Sequence, residues 1–259
     1  MRIKQSVCYP IMKLGSLSLE ALFEASAEIG YAAVEMWGRG DDFERVVALA
    51  HKYHLVVASM VGHSMHPHGL NARSEHPRIE AELRASIDLA AANGIPGLIC
   101  LSGNRLPYQS DLEAIDAVAD GLRRVAPYAE QKGVNLNLEL LNSKVDHPGY
   151  LCDHTAWGLA VCQRVASPRV KLLYDIYHMQ IMEGDVIRTI RENIHWIGHF
   201  HTAGNPGRED FDDTQELNYA GICKAIADTG YDLYVGHEFK PKGDLVEALR
   251  RAFAICDQG

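Results

Sequence analysis

Four side chains that can bind a metal ion each stand near the end of a short apolar stretch of this sequence. They are Glu139 in "LNLELLN", Asp175 in "LLYDIYH", His201 in "GHFHTAG" and Glu238 in "VGHEFKP". Successive members are 36, 26 and 37 residues apart, which is close to the length of one strand plus one helix. Three carboxylates and one imidazole form a ligand set suited to Mg²⁺, Mn²⁺ or Co²⁺, and less typical of structural Zn²⁺. Taken singly, each also fits an ordinary polar residue at the end of a strand.

Helices and strands alternate along the whole chain and would position these four side chains. In "SLSLEALFEASAEIG" the apolar residues recur on one helical face and Gly30 follows as a stop signal, before the strand candidate "AAVEMWG". Further helices are predicted from about Asp42, Glu75, Asp111, Asp153, Val186, Tyr219 and Asp244. The other predicted strands are "IKQSVCYP", "LVVASM", "GLICLSG", "VNLNLELL", "VKLLYD", "IHWIGHF" and "DLYVGHE".

Strict alternation of strand and helix requires parallel strands joined by crossover helices. Eight such units in a chain of 259 residues predict an α/β fold, a (β/α)8 TIM barrel. A doubly wound open sheet is the alternative, but no GxGxxG follows the first strand. Without a Pro/Gly-rich linker, we expect one domain over residues 1–259.

A barrel brings the carboxyl ends of its strands to one mouth, where the active sites of such folds lie. Side chains alternate between the barrel interior and the helix layer. The apolar Leu136 and Leu138 then face the helices, which turns Glu139 inward, and the same parity turns Glu238 inward. The four metal-competent residues can therefore converge despite their separation in sequence.

Composition argues against several classes of protein. A net charge of −9, with no Lys/Arg run, disfavours a nucleic-acid partner. No stretch reaches the roughly 18 apolar residues of a membrane span, and the N-terminus lacks the apolar core of a signal peptide. The six cysteines show no CxxC spacing and predict reduced core thiols. We therefore expect a soluble cytoplasmic protein without a membrane partner.

Longer motifs add a resemblance. From "AVEMWG" through "YDIYHMQIMEGD", "NPGR" and "ELNY" to "GYDLYVGHEFKP", nearly the whole chain resembles the xylose isomerase-like TIM-barrel superfamily and, within it, the hydroxypyruvate isomerase group. The resemblance implies conversion of hydroxypyruvate to tartronate semialdehyde through an enediolate, with Glu139 and Glu238 transferring the proton. It implies one divalent ion (Mg²⁺, Mn²⁺, Co²⁺ or Zn²⁺) held by Glu139, Asp175, His201 and Glu238. It also implies a small hydroxy-carbonyl substrate and a dimer or tetramer.

Two departures keep other members of the superfamily open. This chain reads "ELLN" from Glu139 where hydroxypyruvate isomerases often have "EPIN", and His201 stands where they often have Gln. His201, and His178 three residues after Asp175, resemble the ketose 3-epimerases; a polyol or acid dehydratase is a further alternative. Endonuclease IV-like phosphodiesterases resemble this chain in the Glu, Asp, His, His and Glu pattern, but "REDFDDTQ" lacks their Asp-x-His.

Five residues are candidates for binding the substrate. Arg208 presents a planar fork of donors that matches a carboxylate, although an Arg after Pro-Gly is often a solvated loop residue. His178 can contact a substrate oxygen or support Asp175. His63 and Asn104 follow the third and fourth strands, where exposure or a turn would explain them equally. Trp37 shares inward parity with Glu35 and can form a pocket wall or pack in the barrel.

Overall fold

Parallel strands close into a barrel in the order of the sequence, in a computed structural model that describes residues 3–12, 14–38 and 40–258. This arrangement confirms the predicted (β/α)8 TIM barrel. The strands are β1 (Lys4–Cys8), β2 (Ala33–Glu35), β3 (Val56–Val61), β4 (Gly97–Cys100), β5 (Asn135–Glu139), β6 (Val170–Asp175), β7 (Ile197–Thr202) and β8 (Tyr234–His237).

Helices lie between the strands and follow the last one. They are α1 (Leu19–Ile29), α2 (Phe43–Lys52), α3 (His76–Ala92), α4 (Asp111–Arg123), α5 (Ala126–Lys132), α6 (Thr155–Val165), α7 (Ile176–Met182), α8 (Val186–Asn193), α9 (Tyr219–Asp228) and α10 (Leu245–Cys256). Local signals explain their ends. Ser18 caps α1 by accepting from the backbone N–H of Ala21, and Gly30 ends it at φ 115°.

The helices differ from the prediction in two places. The helix expected from Asp111 is divided into α4 and α5, and Pro127 lies in the first turn of α5, where its missing N–H costs no helical hydrogen bond. Between Asp175 and Val186, where no helix is predicted, the structure forms the helix α7. Its start is capped by Asp175, whose carboxylate accepts from the backbone N–H of His178 at 3.0 Å.

The chain divides into two compact units. One comprises Met1–Met60, Asp185–Ile194 and His199–Gly259, and the other Val61–Gly184 and His195–Gly198. In the first unit, β1 pairs in parallel with both β2 and β8. In the second, β5 pairs with both β4 and β6. A single domain over residues 1–259 stays a prediction.

The amide of Asn137 on β5 fills space that two glycines leave open in the second unit. A Cβ added at Gly97 on β4 would lie 2.6 Å from Asn137 Nδ2, and one at Gly198 on β7 would overlap Asn137 Oδ1. Asn137 is 1% exposed, and strand alternation puts Glu139 on the same side as Asn137. The polar face of β5 therefore lies against the backbones of its neighbours.

The core accounts for the cysteines as predicted. All six are free and buried. Burial raises the pKa of Cys100 well above its usual range and that of Cys162 to about 12, so both remain neutral thiols. None of the helices within the described residues combines the length and the apolar character that crossing a membrane requires.

We expect Gly198→Ala to destabilise the protein by about 1–3 kcal/mol, because the new methyl group overlaps the Asn137 amide in a packed interior. Urea unfolding followed by circular dichroism measures the change. Gly243→Ala is the control, since a Cβ at Gly243 meets nothing within 4 Å and should change stability by less than about 0.5 kcal/mol. Equal stability of both variants would contradict this account of the interior.

Candidate active site

A buried carboxylate in the first unit holds two histidines of β7. Glu35 ends β2, and its Oε2 lies 3.0 Å from Nε2 of His199 and 3.0 Å from Nε2 of His201. Ser6 on β1 donates its hydroxyl to Glu35 Oε1 at 2.5 Å. Burial alone would raise the pKa of Glu35, but the two imidazoles outweigh it and hold that pKa well below its usual range. Glu35 is therefore an ionised carboxylate in the barrel.

Gly236 on β8 makes room for this cluster. A Cβ at Gly236 would overlap Glu35 Oε1 and lie 3.0 Å from His201 Cδ2. Parity in the sequence aligns Glu35 with Trp37, and His199 with His201, but it does not reveal that both histidines share one carboxylate oxygen. The pairing depends on contacts between β2 and β7, which are far apart in the chain.

Glu238 follows β8 directly and is contacted from several sides. Trp37 donates its indole N–H to Oε1 at 2.9 Å, and Arg208 Nη2 donates to Oε2 at 2.5 Å. Nδ1 of His201 lies 3.3 Å from Glu238 Oε2, and the Cys8 thiol lies 3.7 Å from Oε1. Glu238 is 4% exposed whereas Trp37 is 46% exposed. Trp37 is thus a rim residue that contacts a predicted ligand, and it is not a packed interior aromatic.

Arg208 is held by its backbone as well as by its ion pair with Glu238. Its carbonyl accepts from the N–H of Lys240 at 2.8 Å, and the neighbouring Gly204 and Glu209 bond to each other through their backbones. Arg208 has φ 57°, a conformation that costs a non-glycine residue about 1–3 kcal/mol. The loop therefore fixes the guanidinium beside Glu238 instead of leaving it in solvent.

In the second unit, Asp175 and His178 lie where β6 passes into α7. Asp175 Oδ1 accepts from the backbone N–H of His178, and Nε2 of the His178 ring lies 3.6 Å from Asp175 Oδ2. Both side chains are almost fully buried. The proximity of the two residues, predicted from the spacing in "YDIYH", results from this first helical turn.

Asn142 orients the His178 ring, and sequence reasoning did not single it out. Its Oδ1 accepts from the backbone N–H groups of Val145 and Asp146, each at 2.9 Å. The amide nitrogen must then face His178 Nδ1, at 2.6 Å. Nδ1 is therefore an acceptor and the ring proton lies on Nε2, toward Asp175. The sequence does contain a signal for Asn142, because an Asn ends both "ELLN" in this chain and the "EPIN" of hydroxypyruvate isomerases.

Glu139 is the last residue of β5 and is 8% exposed. Its backbone carbonyl accepts from the hydroxyl of Tyr150 at 3.1 Å, which anchors the strand end. Among the residues that the structure describes, two groups of buried side chains have ligand atoms that all lie within 4.8 Å of one another and can hold a metal ion. They are Glu35, His199 and His201, and the predicted set Glu139, Asp175, His201 and Glu238.

His63 and Asn104, the remaining substrate candidates, lie in different surroundings. His63 is 3% exposed, its Nε2 accepts from the N–H of Leu101 at 3.0 Å, and its Nδ1 lies 3.1 Å from the carbonyl of Ser64. Asn104 is exposed, and its backbone carbonyl accepts from Asn71 at 2.7 Å. Their contact with substrate stays a prediction, and the bonds of His63 show a structural role in joining β3 to β4.

Comparison with known proteins identifies the family. Residues 23–255 match the family model for the xylose isomerase-like TIM barrel. The chain belongs to this family. A family member from Escherichia coli strain K12, hydroxypyruvate isomerase, is 32% identical over 92% of this chain and 94% of its own length.

A further relative and a solved structure are also similar to this chain. A putative hydroxypyruvate isomerase from Homo sapiens is 32% identical over 64% of this chain, and the match spans only 62% of that relative's length. The crystal structure of an AP endonuclease, family 2, from Brucella melitensis superposes with a TM-score of 0.82 over 98% of each chain, at 24% identity. At that identity the likeness shows the shared family fold alone.

The bonds of His63 predict a pH dependence of stability. Burial lowers the pKa of His63 to about 4, whereas the unfolded chain takes up a proton near the ordinary value of about 6.5. Unfolding therefore binds a proton between these pH values, and stability falls as the pH falls. When the pH falls from 7 to 5, His63 should lower the free energy of unfolding by about 2 kcal/mol.

Urea unfolding of the protein and of His63→Gln at both pH values isolates this loss, because Gln cannot take up the proton. The loss between pH 7 and pH 5 should be about 2 kcal/mol smaller in the variant. His54→Gln, at an exposed position in the α2–β3 turn, is the control and should keep the full pH dependence. If the free energy of unfolding changes equally with pH in all three proteins, the neutral, buried state of His63 is refuted.

Proposed function

We propose that this protein is a metal-dependent isomerase of small α-hydroxy-carbonyl compounds, and that it converts hydroxypyruvate to tartronate semialdehyde through an enediolate. The observation that carries the proposal is the buried ligand group in which Glu139 and Glu238 accompany Asp175 and His201. The Escherichia coli relative, named hydroxypyruvate isomerase, supports the choice of substrate because its match extends over nearly the whole chain.

The chemistry of the donor set fits a divalent ion. The carboxylate of Glu35 accepts the Nε2 proton of His201, so the lone pair of Nδ1 faces Glu238 Oε2, 3.3 Å away. A positive charge stabilises the contact between Nδ1 and this carboxylate oxygen, and a metal ion held by the ligand group would supply that charge. The burial of Glu139 and Asp175, which belong to the same ligand group, adds to the demand for positive charge. When bound, Mg²⁺, Mn²⁺, Co²⁺ or Zn²⁺ would polarise the substrate carbonyl and stabilise the developing negative charge.

The two glutamates would transfer the proton. One carboxylate, Glu139 or Glu238, removes a proton from C3 of hydroxypyruvate and leaves an enediolate between C2 and C3. The other delivers a proton to C2, while the hydroxyl proton on O3 passes to O2 and the aldehyde forms at C3. The ring N–H of His178, held on Nε2 by Asn142, is a donor for one of these oxygens.

Arg208 would bind the substrate carboxylate. Its guanidinium presents five N–H groups in a planar fork that matches the geometry of a carboxylate. The same residue would therefore hold the substrate and keep the Glu238 carboxylate in place. Trp37, which also bonds to Glu238, lies at the exposed rim and would cover one side of the substrate. His63 and Asn104 complete the proposed binding residues.

Replacing the proposed acid-base residue should abolish proton transfer. We expect Glu238→Gln to lower the rate of hydroxypyruvate isomerisation, and of solvent deuterium incorporation in D₂O, by at least about 10²-fold. NMR follows both. EDTA should stop the parent enzyme, and added Mn²⁺ should restore it. Glu247→Gln on α10, an exposed position, serves as the control and should retain full activity. Exchange that survives thorough metal removal would count against the mechanism.

Removing the guanidinium should reduce selectivity for a carboxylate. We expect Arg208→Gln to lower kcat/KM for hydroxypyruvate about 10- to 100-fold, as loss of a charged hydrogen bond predicts. For dihydroxyacetone, a neutral three-carbon analogue, kcat/KM should fall less. The ratio of the kcat/KM values for the two substrates cancels any effect through Glu238 that both substrates share. Lys242→Gln removes a cation that pairs with Asp212 and Glu209 and should leave the ratio unchanged. An unchanged ratio in Arg208→Gln would remove Arg208 from the carboxylate site.

Activity assays with other substrates distinguish the remaining candidate functions. If the protein epimerises free ketoses at C3 faster than it isomerises hydroxypyruvate, the result would favour a ketose 3-epimerase, the alternative that His201 supports. Cleavage of an oligonucleotide with an abasic site would instead support a phosphodiesterase. We also propose that the chain forms a dimer or tetramer and that the protein is located in the cytoplasm. Light scattering of the purified protein measures its molar mass and so tests the oligomeric state.

A further inference from the structure

Glu35 lies behind the proposed metal ligands and takes no part in the reaction described above. We propose that Glu35 is a positioning residue that fixes the tautomer of His201, so that Nδ1 of this ring is the metal-binding nitrogen and the affinity for the ion is raised. The inference rests on the proposed function, because it concerns the same metal site. It assigns a role to a side chain that reaches no substrate atom.

The bonding of Glu35 determines where the ring proton of His201 lies. A carboxylate offers only acceptors, so Nε2 of both His199 and His201, 3.0 Å from Glu35 Oε2, must carry a proton. In a neutral imidazole the other nitrogen is then an acceptor. For His201 this is Nδ1, which points toward Glu238 Oε2. Glu35 thus directs the acceptor nitrogen of His201 toward the side of Glu238.

The surroundings hold Glu35 in one position. Ser6 bonds to its other oxygen, Oε1, and the backbone of Gly236 lies directly against that oxygen. Glu35 is 1% exposed and His201 is 1% exposed. If the His201 ring carried its proton on Nδ1 instead, a ring lone pair would face the buried Glu35 carboxylate. The unfavourable tautomer therefore costs a charged hydrogen bond in a buried site.

Glu35, His199 and His201 can also be considered as ligands of a second ion, since their ligand atoms lie within 4.8 Å of one another. An ion bound to Nε2 of His201 would require the ring proton on Nδ1. That proton would block Nδ1 as a ligand beside Glu238. With a neutral imidazole, His201 can serve only one of the two groups, and the hydrogen bonds to Glu35 favour the group that contains Glu238.

Metal binding to the whole protein tests the role of Glu35. We expect Glu35→Gln to raise the dissociation constant for Mn²⁺ about 10- to 100-fold, measured by competition with a chromophoric chelator. The visible spectrum of the Co²⁺-loaded protein should change at the same time, because the His201 ligand is less well ordered. Thermal unfolding of the metal-free proteins shows whether the variant is folded. Ser6→Ala, which removes only the bond to Oε1, provides a milder second variant with a smaller shift in the same direction.

His199→Gln is the matched control, because His199 shares the strand, the burial and the Glu35 oxygen of His201 but does not belong to the four-residue group. Its Mn²⁺ affinity should stay within about threefold of the parent. The inference fails if folded Glu35→Gln binds Mn²⁺ as the parent does, or if His199→Gln weakens binding equally. Two Mn²⁺ ions per chain, falling to one in His199→Gln, would replace it with a second metal site. A parent protein that binds no divalent ion would overturn the proposed function itself.

Discussion

Buried negative charge is the constraint on which the rest of this structure depends. Glu35, Glu139, Asp175 and Glu238 are each at most 8% exposed, and a carboxylate taken out of water is stable only with donors or cations around it. Hydroxyl, imidazole, indole and guanidinium groups reach the oxygens of Glu35 and Glu238 from β1, β7 and the loops after β2 and β7. The barrel supplies the framework that brings these donors together from distant parts of the chain.

The two units satisfy their carboxylates in different ways. In the first, Glu35 and Glu238 are surrounded by charged or polar side chains from other strands, so their positions depend on long-range contacts. In the second, Asp175 is satisfied locally by the first turn of α7, and Asn142 is held by the backbone that follows it. Substitution of a partner in the first unit therefore acts across the barrel, whereas the second unit depends on the local turn.

Much of the fold was predictable because its signals are periodic. Helix stops such as Gly30 and the alternating polar face of β5 specify element types and facing directions within a few residues of sequence. The order of elements then leaves few topologies other than a barrel. The break between α4 and α5, and the helix α7 after Asp175, were missed because a short capped turn has too few residues to show a period.

The candidate site was predictable only in part. Strand ends and the motif "YDIYHMQIMEGD" indicated the four ligands, since types and spacing are visible in a sequence. The tautomers of the two histidine rings were not predictable, because each depends on a bond between residues distant in the chain. Asn142 determines the tautomer of His178, and Glu35 determines that of His201. The sequence placed His63 after a strand, but it did not show that backbone groups lie beside both of its ring nitrogens.

Trp37 combines two properties that seldom occur together. Its indole is nearly half exposed, so water quenches and red-shifts its emission, while its N–H is bonded to Glu238. Any event that draws the Glu238 carboxylate elsewhere alters both the hydration and the electric field at this ring. Trp37 fluorescence is therefore expected to respond to binding at Glu238.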